Sequence, residues 1–151
     1  MKTYRIKTLH GVERVAVKFS SYIEDNRYKP FSWGTQDCLH FVNNGVEFQT
    51  GNAFEDQSLW DYNTEFGAIK AMLKFFKKHN VKDILEFFDS KYQRVDHLPP
   101  RGSIVAVEQK EDTTIGYRLG FVVSYRGAFV GEDGLLFLPL NPKTDFYWKV
   151  K

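Results

Sequence analysis

The amino-acid sequence predicts an α+β domain in which N-terminal helices pack on a C-terminal antiparallel β-sheet. Two observations carry this. Apolar residues recur at helical spacing from Val15 to about Phe88, and after Pro99-Pro100-Arg101-Gly102 the period becomes extended. Helices first and strands afterwards mean α+β, not an alternating α/β chain. A length of 151 residues suits one domain and not comfortably two, so residues 14–151 read as a single domain behind an arm or edge strand over residues 1–13.

In order along the chain, Val15, Phe19, Tyr22 and Ile23 define a first helix. It must stop before Lys29-Pro30, because the residue preceding proline is pushed out of the α region. Cys38, Phe41, Val42, Gly45 and Val46 sit at i, i+3, i+4, i+7 and i+8, the cleanest helical stripe in the chain. Asp37 is a favoured N-cap for it, and Gly51 fits the position just past its end. A third helix reads from Thr64 to His79 with Phe66, Ile69, Met72, Leu73 and Phe76 inward and Asn80 as its stop. A short fourth helix covers about Lys82 to Phe88. The β-rich runs are Ile104–Val107, Tyr117–Tyr125, Ala128–Val130, Leu135–Leu138 and Phe146–Val150, with hairpin turns at Arg126-Gly127 and Glu132-Asp133-Gly134.

Composition narrows the function classes. Hydrophobic residues at 42% and charged residues at 26% exclude wholesale disorder. Aromatics at 17% supply enough bulk for a substantial core and leave rings for a partner surface. A net charge of +2 with interspersed signs is no nucleic-acid footprint. No apolar run reaches the roughly 18 residues of a membrane span, and the start, MKTYRIKTLHGVER, has no signal-peptide core. The single cysteine excludes a disulfide framework and a cysteine-built zinc site. No His-x-x-x-His spacing, phosphate loop, calcium loop or dinucleotide fingerprint occurs, so no metal and no cofactor are expected.

Cys38 is the residue with a chemical argument. In the first turn of a helix its sulfur meets the positive end of the macrodipole and unpaired N–H groups, which favour the nucleophilic thiolate. A free cysteine on an apolar stripe is also an ordinary buried packing residue. Both readings stay open on the residues alone.

Trp33-Gly34-Thr35-Gln36-Asp37-Cys38 followed by Phe41-Val42 resembles the start of the nucleophile helix in the NlpC-type cell-wall endopeptidases, a papain-like superfamily. Pro100-Arg101-Gly102-Ser103-Ile104-Val105 resembles the strand entry of that superfamily, and Arg118-Leu119-Gly120-Phe121-Val122 aligns with the strand that normally begins His-Val-Gly. A narrower NlpC-like family of short phage and prophage proteins, encoded among tail-tip genes and described as cell-wall peptidases, is more similar still. Lys29-Pro30-Phe31, Trp33-Gly34, Asp37-Cys38, Thr50-Gly51, Pro100 to Val105, Gly131 to Leu135 and Trp148 carry that likeness from about residue 14 to the C-terminus.

The resemblance implies a papain-like, NlpC-type fold with Cys38 and Asp37 at the nucleophile helix. It also implies a general-base histidine where this chain has Arg118. An arginine cannot take a proton from a thiol near neutral pH and cannot shuttle one to a leaving amine. Members of the narrower family commonly lack that histidine. Among the other histidines, His40 is about 200° round the helix from Cys38, His79 ends a lysine-rich helix and is expected in solvent, and His10 lies in the arm. His97, before Leu98-Pro99-Pro100, is the remaining candidate for a base.

Two functions are therefore expected. The favoured one, because of Arg118, is a catalytically impaired structural protein of a phage tail tip or baseplate. It would assemble in the host cytoplasm into the virion, with other tail-tip or hub proteins as partners through Met1–His10 and the turn Gly131–Gly134. The alternative is an active cysteine amidase or endopeptidase cutting peptidoglycan stem peptides during phage entry, with Cys38 as nucleophile.

Overall fold

Among the residues that the computed structural model describes (11–97, 99–109 and 115–151, with side chains from Phe19 onward), four α-helices precede a six-stranded antiparallel sheet. The helices are α1 (Gly11–Asn26), α2 (Cys38–Thr50), α3 (Glu65–His79) and α4 (Ile84–Lys91), with a 3₁₀ turn at Gln57–Trp60. The strands are β1 (Gln93–Val95), β2 (Ile104–Glu108), β3 (Tyr117–Val123), β4 (Arg126–Gly131), β5 (Gly134–Pro139) and β6 (Phe146–Lys149), in the spatial order β1-β6-β2-β3-β4-β5.

The α2 helix forms where its apolar stripe and caps place it. Asp37 is extended and its side chain accepts from the His40 N–H, while Gly51 at φ +86° closes the far end by donating to the Glu47 carbonyl. Leu39, Phe41, Val42, Gly45 and Val46 are buried. The helix lies directly on β3, and a Cβ at Gly45 would collide with the Phe121 ring. Strand pleating then sorts the two faces of the sheet. Ile104, Ala106, Leu119, Phe121 and Val123 join the helices in the main core, whereas Val105, Val122, Phe129 and Tyr147 form a second cluster on the opposite face. The register Ile104↔Phe121 and Ile104↔Trp148 puts large side chains side by side beneath the helices.

After α1 stops at Asn26, ahead of Lys29-Pro30, the chain is tied to the β4–β5 hairpin. The Leu135 N–H donates to the Arg27 carbonyl at 2.8 Å and the Phe31 N–H to Gly131 at 3.2 Å. This anchoring carries Phe31 and Trp33 to the N-terminal end of α2.

Several expectations need correction. The α3 helix buries Ala68, Met72 and Phe75, whereas Phe66, Ile69 and Leu73 face solvent. Both sets have helical spacing, and the 3₁₀ turn and α4 decide between them, Trp60 and Phe87 packing on the Phe75 ring at 5.4 and 4.6 Å. The first hairpin turns at Ser124-Tyr125, with Ser124 at φ +62°, and Arg126-Gly127 begins β4 instead. The fourth helix is shifted to Ile84–Lys91 because Asp83 caps it, its side chain accepting from the Glu86 N–H. Strand β1 was not expected. It is a three-residue edge paired through Arg94↔Trp148. His79 is not simply solvated: its Nε2 lies 2.8 Å from Glu55 Oε2 and its ring packs on Phe75 and Phe87. Helix α1 begins at Gly11, inside the stretch expected as an arm, and residues 1–10 lie outside the described residues. No described helix is long and apolar enough to cross a membrane.

Candidate functional site

Cys38 occupies the first position of α2 and borders a cavity of about 180 Å³. The walls are mostly apolar, with Phe31, Trp33, Tyr62 and Tyr117 among the residues around Cys38. Phe31 and Trp33 meet edge to face with centroids 4.7 Å apart, which fixes one wall of the opening.

Burial pushes the Cys38 thiol up, and the negative charge of Asp37 pushes it in the same direction. The backbone N–H groups of Leu119, Cys38 and Leu39 pull the other way without prevailing, so the thiol rises from 9.0 to about 12. A helix N-terminus returns only about 0.3–1 kcal/mol to an anion. Cys38 is partly exposed, and burial together with the Asp37 charge outweighs the helix terminus and favours the protonated thiol.

Asp37 forms the polar half of the site. It is 2% exposed, and its Oδ1 accepts from the His40 N–H at 2.9 Å and faces His40 Nδ1 at 2.9 Å. Its Oδ2 accepts from the Gly34 N–H at 2.9 Å and from the Tyr62 hydroxyl at 2.8 Å. Burial alone would raise the Asp37 carboxyl, but the hydrogen bonds and charge of His40 and the Gly34 N–H outweigh it and hold the group below its ordinary value. An ionised carboxylate only accepts, which assigns the proton to His40 Nδ1. Burial also raises the Tyr62 hydroxyl, reinforced by the charge of Asp37, so Tyr62 donates and does not ionise. The His40 ring is held edge-on between Trp60 and Tyr62, with centroids at 6.0 and 5.3 Å. Asp37 thus serves as helix cap and histidine anchor, turned towards His40 and Tyr62.

Of the four residues the sequence singled out, Cys38, Asp37 and Arg118 border the same cavity and His97 does not. Arg118 pairs with Val107 across β2 and β3. It shares pleat parity with Gly120, whose missing Cβ would point at Phe129, and with Val122 of the opposite-face cluster. The Cα–Cβ bond of Arg118 is therefore directed away from α2, while Tyr117 and Leu119 face it. His97 lies on the surface, paired with Asp96 at 2.7 Å. Among the described residues no histidine nitrogen is hydrogen-bonded to the Cys38 sulfur, and no group of three or more His, Cys, Asp or Glu side chains could hold a metal ion.

Sequence reasoning missed Tyr62, 25 residues from Asp37, and the role of His40. Tyr62 carries no local signal. His40 does, since it stands three residues beyond an N-cap aspartate, at the spacing that brings an i+3 side chain back over the cap.

No curated protein and no solved structure matches the chain. A family model does match it over residues 12–150, from the first turn of α1 to one residue past β6, and the chain belongs to that family, a domain of unknown function, DUF6950.

Proposed function

We propose that this domain is a hydrolytically silent protein of papain-like, NlpC-type fold that serves as a structural subunit of a phage tail tip. The observation that carries the silent half is the state of Cys38. Its thiol is pushed up to about 12, and the nearest histidine in sequence is committed to Asp37. Cysteine hydrolysis needs a thiolate and a base that can pass its proton to the leaving amine. Arg118 stands at the position of that base in the resemblance and borders the same cavity, but a guanidinium supplies no proton acceptor. The tail-tip half rests on the resemblance that runs from about residue 14 to the C-terminus. On this reading assembly takes place in the host cytoplasm, the partners are other tail-tip or hub proteins, and the aromatic cavity is part of a packing surface.

A cysteine amidase or endopeptidase acting on peptidoglycan is the second reading. It is favoured by one observation: Cys38 borders a cavity and meets the backbone N–H groups of Leu119 and Leu39. Incubating purified peptidoglycan with the wild-type chain and with Cys38→Ser, followed by mass spectrometry of released muropeptides, separates the two. The structural reading expects both samples to match the buffer control, and expects the chain among the proteins of purified particles. Release that depends on Cys38 would establish the enzyme.

A further inference from the structure

A second cavity, of about 440 Å³, lies between the end of α1 and the flank of α2 and shares no lining residue with the cavity at Cys38. Its wall includes Asp25 and Asn26 from α1, Glu47 from α2, and Lys29 and Gln36 from the segment between the helices. Gln36 is the unexplained member. Its backbone is fixed by a bridge to Ser32, the Gln36 N–H donating to the Ser32 carbonyl at 2.8 Å and the Ser32 N–H to the Gln36 carbonyl at 3.1 Å. The residue is only 7% exposed, yet its Nε2 is buried without a partner and its side chain makes no hydrogen bond among the described residues. A buried amide left unpaired is destabilising, so one that lines a cavity points to a group brought in from outside. Asn26 is buried to the same degree. Its Nδ2 donates to the Tyr22 carbonyl at 2.8 Å, and its Oδ1 accepts nothing among the described residues. The Asp25 and Glu47 carboxylates are likewise in no ion pair there.

These groups select the chemistry of what they hold. Two carboxylates against one lysine disfavour an anion, and Lys29 disfavours an ammonium ion. Among the described residues no three metal-ligating side chains cluster, so a bare cation is not matched. The Tyr22 ring in the wall is stacked on Phe41 at 5.5 Å, and its hydroxyl donates to the Phe41 carbonyl at 2.6 Å, so it is not free to stack on a flat ligand. A neutral molecule with several hydroxyls fits, because each hydroxyl both donates and accepts. We infer that the cavity binds a saccharide. Its hydroxyls donate to Asp25, Glu47 and Asn26 Oδ1, and Gln36 exchanges a hydrogen bond with one of them. Turning the Gln36 amide over swaps its donor and acceptor, so it can meet either half of a hydroxyl. The bonds to the two carboxylates are charge-assisted and the stronger ones. A volume of about 440 Å³ suits a small-molecule site. The inference is independent of what Cys38 does.

Amide proton–nitrogen correlation spectra of the full chain test it, titrated separately with glucose, galactose, mannose, N-acetylglucosamine and putrescine. At least one sugar is expected to give saturable shifts in the millimolar range, centred on Asp25, Asn26, Gln36 and Glu47 and on the side-chain amide of Gln36. Putrescine, a bare diammonium, is expected to give none. Glu47→Ala alters an exposed side chain and is expected to weaken sugar binding about tenfold. Gln36→Met is expected to weaken it about tenfold as well, while raising the urea midpoint because the unpaired amide is gone. A glutamine with only a structural role would lower that midpoint and leave the affinity unchanged. The inference is overturned if no sugar gives saturable shifts at these residues, or if putrescine binds there more tightly than every sugar. An affinity unchanged by Glu47→Ala, or by a folded Gln36→Met, overturns it too.

Discussion

The Asp37 carboxylate, 2% exposed, takes hydrogen bonds from the His40 and Gly34 N–H groups and the Tyr62 hydroxyl, and faces His40 Nδ1. An anion buried with that many donors is stable only while the donors stay in place, so each partner becomes a stability determinant. Asp37→Ala is expected to cost about 2–4 kcal/mol, from the lost cap together with donors left unpaired. Tyr62→Phe is expected to cost about 1 kcal/mol, from one hydrogen bond. The pH dependence has a definite sign. The folded carboxyl lies below its ordinary 3.8, so its contribution is complete above that value and is lost as pH falls from there towards the folded value. Urea unfolding at neutral pH and near pH 3 is expected to show a smaller acid loss for Asp37→Asn than for wild type. An equal loss in the two would mean that Asp37 does not contribute through its charge. Half of this network was legible beforehand: Asp37 reads as an N-cap from its place before an apolar stripe. The Tyr62 hydroxyl was not legible, because tertiary packing alone brings residue 62 to the start of α2.

At the scale of the element, α2 and α3 show why one helix can be read from sequence and another cannot. In α2 the Cys38–Phe41–Val42–Gly45–Val46 stripe has no apolar rival on the same helix. Gly45 is also required where the helix touches Phe121, so pattern and packing agree. In α3 two sets of residues share helical spacing, and the set with the larger side chains, Phe66, Ile69 and Leu73, is the exposed one. Periodicity ranks faces by hydrophobicity, and here a small Ala68 and a half-polar His79 weaken the face that is buried. Paired alanine substitutions check this assignment. Met72→Ala is expected to cost about 2–5 kcal/mol in chemical denaturation, and Leu73→Ala to stay within about 0.5 kcal/mol of wild type. The reverse ranking would return the stripe to the core. The missed strand β1 has a similar cause. Gln93-Arg94-Val95 has no β-rich signal, and it pairs because Arg94 lies opposite Trp148 and makes two hydrogen bonds to Asp89, at 2.8 and 2.7 Å.

For the molecule as a whole, the order of helices and strands and the antiparallel pairing followed from the change of period near Gly102. The environment of Cys38 did not, because it is made by elements far apart in the chain. The α2 helix supplies the sulfur, β3 the Leu119 N–H, and the segment tied to the β4–β5 hairpin the Phe31–Trp33 wall. A helix N-terminus read alone favours the thiolate. In the assembled fold Cys38 is only partly exposed, and the partial loss of water, with the charge of Asp37 beside it, outweighs the helix N–H groups. The rate of Cys38 alkylation by iodoacetamide as a function of pH, followed by intact-protein mass spectrometry on the folded chain, therefore tests the central claim most directly. With the thiol pushed up to about 12, fewer thiolates are present but each is more nucleophilic, and the rate at pH 7 is expected to fall about thirtyfold below that of an unstructured cysteine peptide. It should still be rising at pH 10, and reach the peptide rate only when the chain is unfolded in urea. A rate at or above the peptide's at pH 7, levelling off below pH 8, would show a poised thiolate and contradict the account.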